Sequence, residues 1–297
     1  MSAVIEELFS LPAIERLTAH VSRRQIGELP LIVVDHPQVR AAVALQGAHL
    51  ISWQPSGERP VLWLSEATAF KQGKAIRGGV PVCWPWFGPA GEPSHGFARI
   101  STWELSSHDE DAERVRLEFV LRGDEHTKAI WPYDFELYIR FELGRTCSIT
   151  LEARGDHQST GALHSYFNVG DVAGVSVSGL GEPYLDHVTS EHGRQTDGVQ
   201  DFPDRIDRAF TDPTALSRIE DPAFDRAIEV RHHDHSDVVV WNPGPDLSKS
   251  MADLTDEGYR EFVCVETARI ERPMTSASTE PATLSTTISL VAGASPA

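Results

Sequence analysis

The sequence predicts an all-β fold, a large antiparallel sandwich, on three observations. Apolar and polar residues alternate over long stretches: Val115, Leu117 and Phe119 share one strand face in RVRLEFVL, and Phe135, Leu137, Ile139, Phe141 and Leu143 share one in FELYIRFEL. Clusters of Gly, Asp, Pro and Ser interrupt the chain at short intervals, as hairpin turns require. No helical period intervenes between the strand-like segments, so there are no crossover helices to build a parallel sheet.

Taken in order, residues up to about Leu17 read as a short amphipathic helix with Ile5, Leu8 and Phe9 on one stripe, making 1–20 an N-terminal helical extension. Strands follow at PLIVVDH, VRAAVALQ, HLISWQP, VLWLS and STWELSS, then at the two alternating segments. SITLEARG, VSVSGL, AIEVRHH, SDVVVWNP, EFVCVET and the C-terminal TLSTTISLV complete the set, with only minor helical turns besides. The polar, Asp- and Pro-rich region 191–225 reads as long loops over one end of the sheets. There is no repeat, low-complexity tract or linker, so the 297 residues are expected to form a single domain and a monomer.

A net charge of −18 argues against nucleic acid and anionic membrane surfaces as partners. No apolar run approaches the roughly 18 residues of a membrane span, and the N-terminus is acidic where a secretion signal is basic. Cys83, Cys147 and Cys264 are odd in number and far apart, which suits reduced, buried thiols and a cytoplasmic location. Against the acidic background, Lys71, Lys74, Arg77 and Arg99 face only Glu92 between residues 71 and 99, a local excess of three positive charges. That excess is either chance or a small anion-binding patch.

Four segments carry candidate chemistry. RGGVPVCWPWFGPAGEPSHGFAR, Arg77–Arg99, is too broken by Pro and Gly for a helix and too aromatic for a solvated loop. Its aromatics are either a core plug or flat faces for a sugar beside Arg and His donors, and bidentate Arg suits phosphate oxygens. In EFVCVETARI, Phe262, Cys264 and Glu266 share one strand face and Val263, Val265 and Thr267 the other. Glu266 is therefore either interior, where an ionised carboxylate is costly, or at the strand's end in solvent beside Arg269. In GALHSYFNVGD, His164 among Leu163, Tyr166 and Phe167 is either a satisfied core residue or a general acid. RHHDHSD offers His232, His233, Asp234 and His235, but neighbours on a strand point to opposite faces, so no metal is expected there. With no P-loop or GxGxxG, no nucleotide or other cofactor is expected.

Together RGGVPVCWPWFGP, SHGFAR, LHSYFNVGD, DRAF, VVVWNP and FVCVETA resemble, in this order, the D-hexose-6-phosphate mutarotases, the glucose-6-phosphate 1-epimerase branch of the aldose 1-epimerase superfamily. The resemblance runs from about residue 25 to the last strand. It implies a β-supersandwich with the sugar in a concave cleft, a phosphorylated hexose as small-molecule substrate, and no metal or cofactor. It places the catalytic pair at His164 and Glu266. Substrate-binding positions fall at Arg77, Ser94, His95, Arg99 and Asp207, with Trp84 and Phe87 as candidates for the sugar's apolar face.

Three positions depart from the family pattern: Ser94 stands where Gln is common, Phe210 replaces a Tyr, and Thr267-Ala268-Arg269 replaces a Pro/Ala-Gly stretch. The implied chemistry has Glu266 as base on the C1 hydroxyl and His164 as acid on the ring oxygen, with Arg77 and Arg99 holding the 6-phosphate. The competing readings are an epimerase of unphosphorylated aldoses, a non-catalytic sugar-binding domain, and a metal enzyme built on the 232–235 histidines.

Overall fold

In the computed structural model, which describes residues 2–277 and 279–293, the alternating segments form three antiparallel sheets. The first runs in the order Glu15–Arg16, Val21–Ile26, Leu29–His36, Val39–Ala44, His49–Pro55. The second has nine strands, with Arg226–His233, Ala282–Ala292, Cys147–Arg154, Glu136–Leu143 and Val115–Arg122 adjacent in that order at its centre. The third has eight, and its central strand Phe262–Ser276 lies between Asp237–Asn242 on one side and His157–Leu163 and Tyr166–Asn168 on the other. The all-β sandwich expected from the alternation is the observed fold.

The period of two decides which residues fill it. Val115, Leu117, Phe119, Leu137, Ile139, Phe141 and Leu143 are all buried and join one cluster with Val238, Val240, Val263 and Val265 of the third sheet and Val34 and Trp53 of the first. Each such side chain contributes about 1.5–3 kcal/mol when fully removed from water. The third sheet spends only one face on this core. Its other face carries the parity partners Val239, Trp241, Cys264, Glu266 and Ala268, which bury small aromatic and aliphatic clusters around a cavity.

Three expectations need correction, and three strands were not foreseen. The N-terminal helix covers Ala3–Ser10, not the stretch to Leu17: Leu11 is extended (φ −56°, ψ 141°) because Pro12 disfavours helical backbone before it, and Glu15–Arg16 is already strand. VLWLS forms no strand and makes single bridges from Leu62 to Phe167 and from Leu64 to Gly78. Region 191–225 is not all loop, since Glu191–Arg194, Val199–Asp201, Ile206–Phe210 and Leu216–Asp221 are strands, mostly toward the sheet edges where polar side chains can face water. His157–Leu163, Val21–Ile26 and Pro183–Asp186 are strands without a clean alternation to announce them. Among the described residues no helix is long and apolar enough to cross a membrane.

Candidate active site

Register across the third sheet assembles the site. Asp207 pairs with Trp241, Trp241 with Cys264, and Cys264 with Tyr166, so these four side chains form one row on the face turned from the core. The next row carries Ala209, Val239 and Glu266. His164 sits at the break between His157–Leu163 and Tyr166–Asn168, where its amide donates to the Pro81 carbonyl (3.0 Å). More than a hundred residues apart in sequence, His164 Nδ1 and Glu266 Oε1 come within 3.2 Å.

Both groups are withdrawn from water: Glu266 is 1 % and His164 7 % exposed. Neither the Nδ1 of His164 nor the Oε2 of Glu266 has a hydrogen-bond partner, so their approach is close but not aligned as a hydrogen bond. Burial, and then the negative charge of Asp207, push the Glu266 carboxyl well above its usual range. Burial, then the neighbouring His95 and the positive charges of Arg77 and Arg99, push the His164 imidazole well below its own. Both shifts disfavour the charged forms, so burial favours a protonated Glu266 carboxyl beside a neutral His164 imidazole.

A chain of contacts fixes the imidazole. Arg77 is turned into the site by Gly78 (φ 117°) and Gly79 (φ 63°); a Cβ on Gly79 would lie 2.3 Å from the Leu50 carbonyl oxygen. Its guanidinium donates from Nε to Asp253 Oδ2 (3.1 Å) and from Nη1 to the Tyr166 hydroxyl (2.9 Å). The Tyr166 ring lies parallel to the His164 ring, with centroids 4.8 Å apart and planes 4° from each other. Beside them His95, at φ 62°, accepts from the Gly88 amide at Nδ1 (3.3 Å), and burial followed by Arg99 and Arg77 lowers it to about 4. A neutral ring whose Nδ1 accepts carries its proton on Nε2, leaving a donor for a ligand. Asp207 meets His187 Nδ1 at 3.2 Å, a contact that raises His187.

These groups line a cavity of about 840 Å³ with His95, His164, Glu266 and Arg77 on one side and Asp207, Trp241 and Phe87 around it. That volume suits a small-molecule ligand. Two other clefts, of about 500 and 430 Å³, are lined by charged side chains such as Arg260 and Glu58 that are themselves exposed, without a buried titratable pair.

Of the residues expected from sequence, His164, Glu266, Arg77, His95, Asp207 and Phe87 line this cavity. Trp84 does not. It is fully buried, donates from Nε1 to Ser159 Oγ (2.9 Å) and packs on Phe97, Trp131 and Phe135. It is a core plug, because Pro81-Val82-Cys83 enters the sheet and carries the indole inward. Ser94 and Arg99 also lie outside the lining, with Arg99 Nη2 donating to the Ser94 carbonyl (2.6 Å), although the charge of Arg99 reaches His95 and His164.

The glycines of this segment mostly approach the protein itself: Gly78 meets Trp63 and Leu64, and Gly91 meets Trp86. His232 is buried with its nitrogens at Thr267 Oγ1 (2.7 Å) and Ser217 Oγ (3.0 Å), so the 232–235 run does not converge on a metal. Sequence reasoning missed Tyr166, Trp241, His187 and Asp253. Tyr166 follows His164 by two residues, and Trp241 follows Val239 by two, so strand parity could have found both. Asp253 sits in a polar loop with no such signal.

The family profile of aldose 1-epimerase matches residues 30–289. A protein of Escherichia coli K12, provisionally named a glucose-6-phosphate 1-epimerase, is 55% identical over 289 residues, covering 96% of this chain and 98% of that one. A Haemophilus influenzae protein of the same provisional name is 35% identical over 215 residues, covering 72% of this chain and 75% of that one. The crystal structure of YeaD from Salmonella typhimurium, provisionally named a mutarotase, has a TM-score of 0.96 at 55% identity and covers 97% of this chain and 99% of that one.

Proposed function

The chain belongs to the aldose 1-epimerase family, and from that premise we propose that it interconverts the α and β anomers of a hexose 6-phosphate by acid/base ring opening and closure. The observation that carries the reading is the buried His164–Glu266 pair at 3.2 Å on the wall of a cavity of about 840 Å³, roomy enough for a hexose phosphate.

Opening a pyranose removes the proton of the C1 hydroxyl and delivers one to the ring oxygen. Either transfer alone builds charge on the sugar, whereas a base and an acid acting together avoid both charges, and each such group contributes about 10²–10⁴-fold. A sugar hydroxyl donating to Glu266 restores part of the solvation that burial removed and favours the ionised carboxylate. The pair's single proton then moves to His164. Glu266 takes the C1 hydroxyl proton, His164 gives its own to the ring oxygen, and the ring opens. Rotation about C1–C2 presents the other face of the aldehyde. The carboxyl returns its proton to the C1 oxygen while His164 takes back the C5 hydroxyl proton, and the ring closes with the pair as it began.

His95 Nε2, Asp207 and the unengaged N–H groups of Arg77 hold the hydroxyls, and Phe87 and Trp241 offer apolar surface to the ring. Arg99, whose charge already reaches His95 and His164, reads the phosphate by turning from the Ser94 carbonyl. One observation favours a neutral aldose instead: Arg77 is already paired with Asp253, so its charge is not wholly available to an anion. Polarimetry or exchange NMR on freshly dissolved α-glucose 6-phosphate and α-galactose tests both readings. Acceleration of the phosphate ester is expected, with Arg99→Ala weakening it far more than any activity on free glucose. Acceleration of α-galactose alone would assign the second reading, and acceleration of neither would end both.

A further inference from the structure

We propose that Cys264, His164 and Glu266 form a binding site for a borderline-soft divalent cation, Zn²⁺ being the best match, and that loading it switches the site off. One ligand atom from each, the Cys264 sulfur, a His164 ring nitrogen and a Glu266 carboxylate oxygen, all lie within 4.8 Å of one another. All three residues are buried, and the His164 Nδ1 and one Glu266 oxygen are without hydrogen-bond partners. Buried polar atoms without partners are rare; a cation on His164 Nδ1 would satisfy it directly, and a bidentate carboxylate would engage Glu266 Oε2 together with Oε1.

The donor set is one sulfur, one nitrogen and one oxygen, which selects zinc over the oxygen-loving Mg²⁺ and Ca²⁺. Tetrahedral zinc at ordinary bond lengths sets its ligand atoms about 3.3–3.7 Å apart. The 3.2 Å between His164 Nδ1 and Glu266 Oε1 is close to that edge, and the sulfur, within 4.8 Å of both residues' ligand atoms, needs to close by about 1.5 Å at most. The fourth position faces the cavity, where water would complete the shell. Binding replaces the Cys264 S–H bond by a sulfur–zinc bond and the Glu266 carboxyl O–H bond by an oxygen–zinc bond, and both protons are released to solvent, so the ion must outcompete the burial that favours both neutral forms. Thiolate and carboxylate together cancel the ion's charge, and a net charge of −18 draws cations to the protein.

The inhibition follows because zinc would occupy both groups that must exchange a proton with the sugar. That half rests on the proposed function; the binding half does not. The test uses the full-length, reduced, metal-free protein. Titrated Co²⁺ should give one tightly bound ion per chain with a thiolate-to-cobalt charge-transfer band in the near ultraviolet, and Zn²⁺ should bleach it. Cys264→Ala should abolish the band. It should also weaken Zn²⁺ binding, measured against a chromogenic chelator, by at least about tenfold, since losing even an outer-shell partner costs about 10–100-fold. Cys264→Ser serves if the alanine variant does not melt cooperatively.

Zn²⁺ should stop anomerisation reversibly with EDTA, and the Cys264 variant should need at least about tenfold more zinc for the same inhibition relative to its own zinc-free rate. Absence of the thiolate band, or equal zinc affinity in the variant, overturns the site and assigns any binding to surface groups such as His233 and His235. Binding without inhibition of an active enzyme overturns the switch. Binding to a protein with no anomerase activity leaves the metal site standing and removes the proposed function instead.

Discussion

Glu266→Gln separates the acid/base reading from any structural role for this carboxyl, because it should cripple the reaction and stabilise the fold in a pH-dependent way. In the unfolded chain Glu266 ionises near 4.3 and His164 near 6.5. In the folded protein burial holds the first protonated well above that range and the second neutral well below. From pH 5 to 6.5 the folded wild-type pair thus carries one proton, on Glu266, while unfolded His164 goes from about one proton to about half. The pair's contribution to wild-type stability is therefore flat near pH 5 and falls toward pH 6.5.

With Gln at 266 the folded pair carries none, one proton fewer than wild type, while unfolded His164 titrates identically in both proteins, so the variant's stability rises with pH relative to wild type through the same window. The variant's gain over wild type should therefore grow by about 1.4 kcal/mol per pH unit, or about 2 kcal/mol from pH 5 to 6.5. Urea unfolding of both proteins at the two pH values measures this difference of differences, and polarimetry on the same samples should show a rate loss of about 10²–10⁴-fold. A gain that is equal at both pH values would mean the carboxylate is ionised in the fold, and the single shared proton would be refuted.

Two further perturbations address the surroundings of the pair. Asp253→Asn removes the charge that holds the Arg77 guanidinium; since that ion pair is partly exposed it should cost at most about 1 kcal/mol of stability. It should nonetheless lower kcat/KM by about tenfold or more through misplacement of Arg77 and Tyr166, with Asp253→Glu recovering part of the loss; unchanged kinetics would remove Asp253 from the positioning network. Trp84→Phe should cost about 1–3 kcal/mol in urea unfolding, from lost core volume and the Ser159 hydrogen bond, without altering kinetics per folded molecule. Phe87→Ala should do the reverse, raising KM about five- to tenfold with little loss of stability, and a KM effect at Trp84 would contradict its assignment to the core.

Much of the fold was legible because alternation is a local signal. Val115 to Phe119 and Leu137 to Leu143 each declare a face, and the faces they declare are the buried ones. Parity also placed Glu266 with Cys264 and left it interior or solvent-exposed; the strand's continuation to Ser276 decides for the interior. Strand register was not legible. It is register, set by hydrogen bonds between segments up to a hundred residues apart, that brings Asp207, Trp241, Cys264 and Tyr166 into one row. Trp84 shows the opposite failure: an aromatic among glycines and prolines looks the same in sequence whether it faces a ligand or a core, because the direction of a single short strand, Val82–Cys83, settles it. Asp253 could not be read at all, since a loop carboxylate acquires its partner only when the loop folds back on Arg77.

The arrangement of the pair explains why anomerisation suits this fold. Ring opening and closure move a proton from the C1 oxygen to the ring oxygen and back, with no net gain or loss, so a site that stores one proton between two groups needs nothing regenerated between turnovers. Storing one proton demands that both charged forms be discouraged together, which a carboxyl and an imidazole achieve when both are drawn from water at 3.2 Å. Strands supply that burial at fixed spacing. Glu266 rises from the centre of an eight-stranded sheet, and His164 is locked by the Tyr166 ring and by its amide on Pro81. The combination that burial favours, a protonated carboxyl beside a neutral imidazole, is the one the proposed mechanism leaves opposite an open-chain sugar. The electrostatics of the pair are thus matched to the open-chain intermediate rather than to the closed ring, and they lower the barriers on either side of it to the extent that those transition states resemble it.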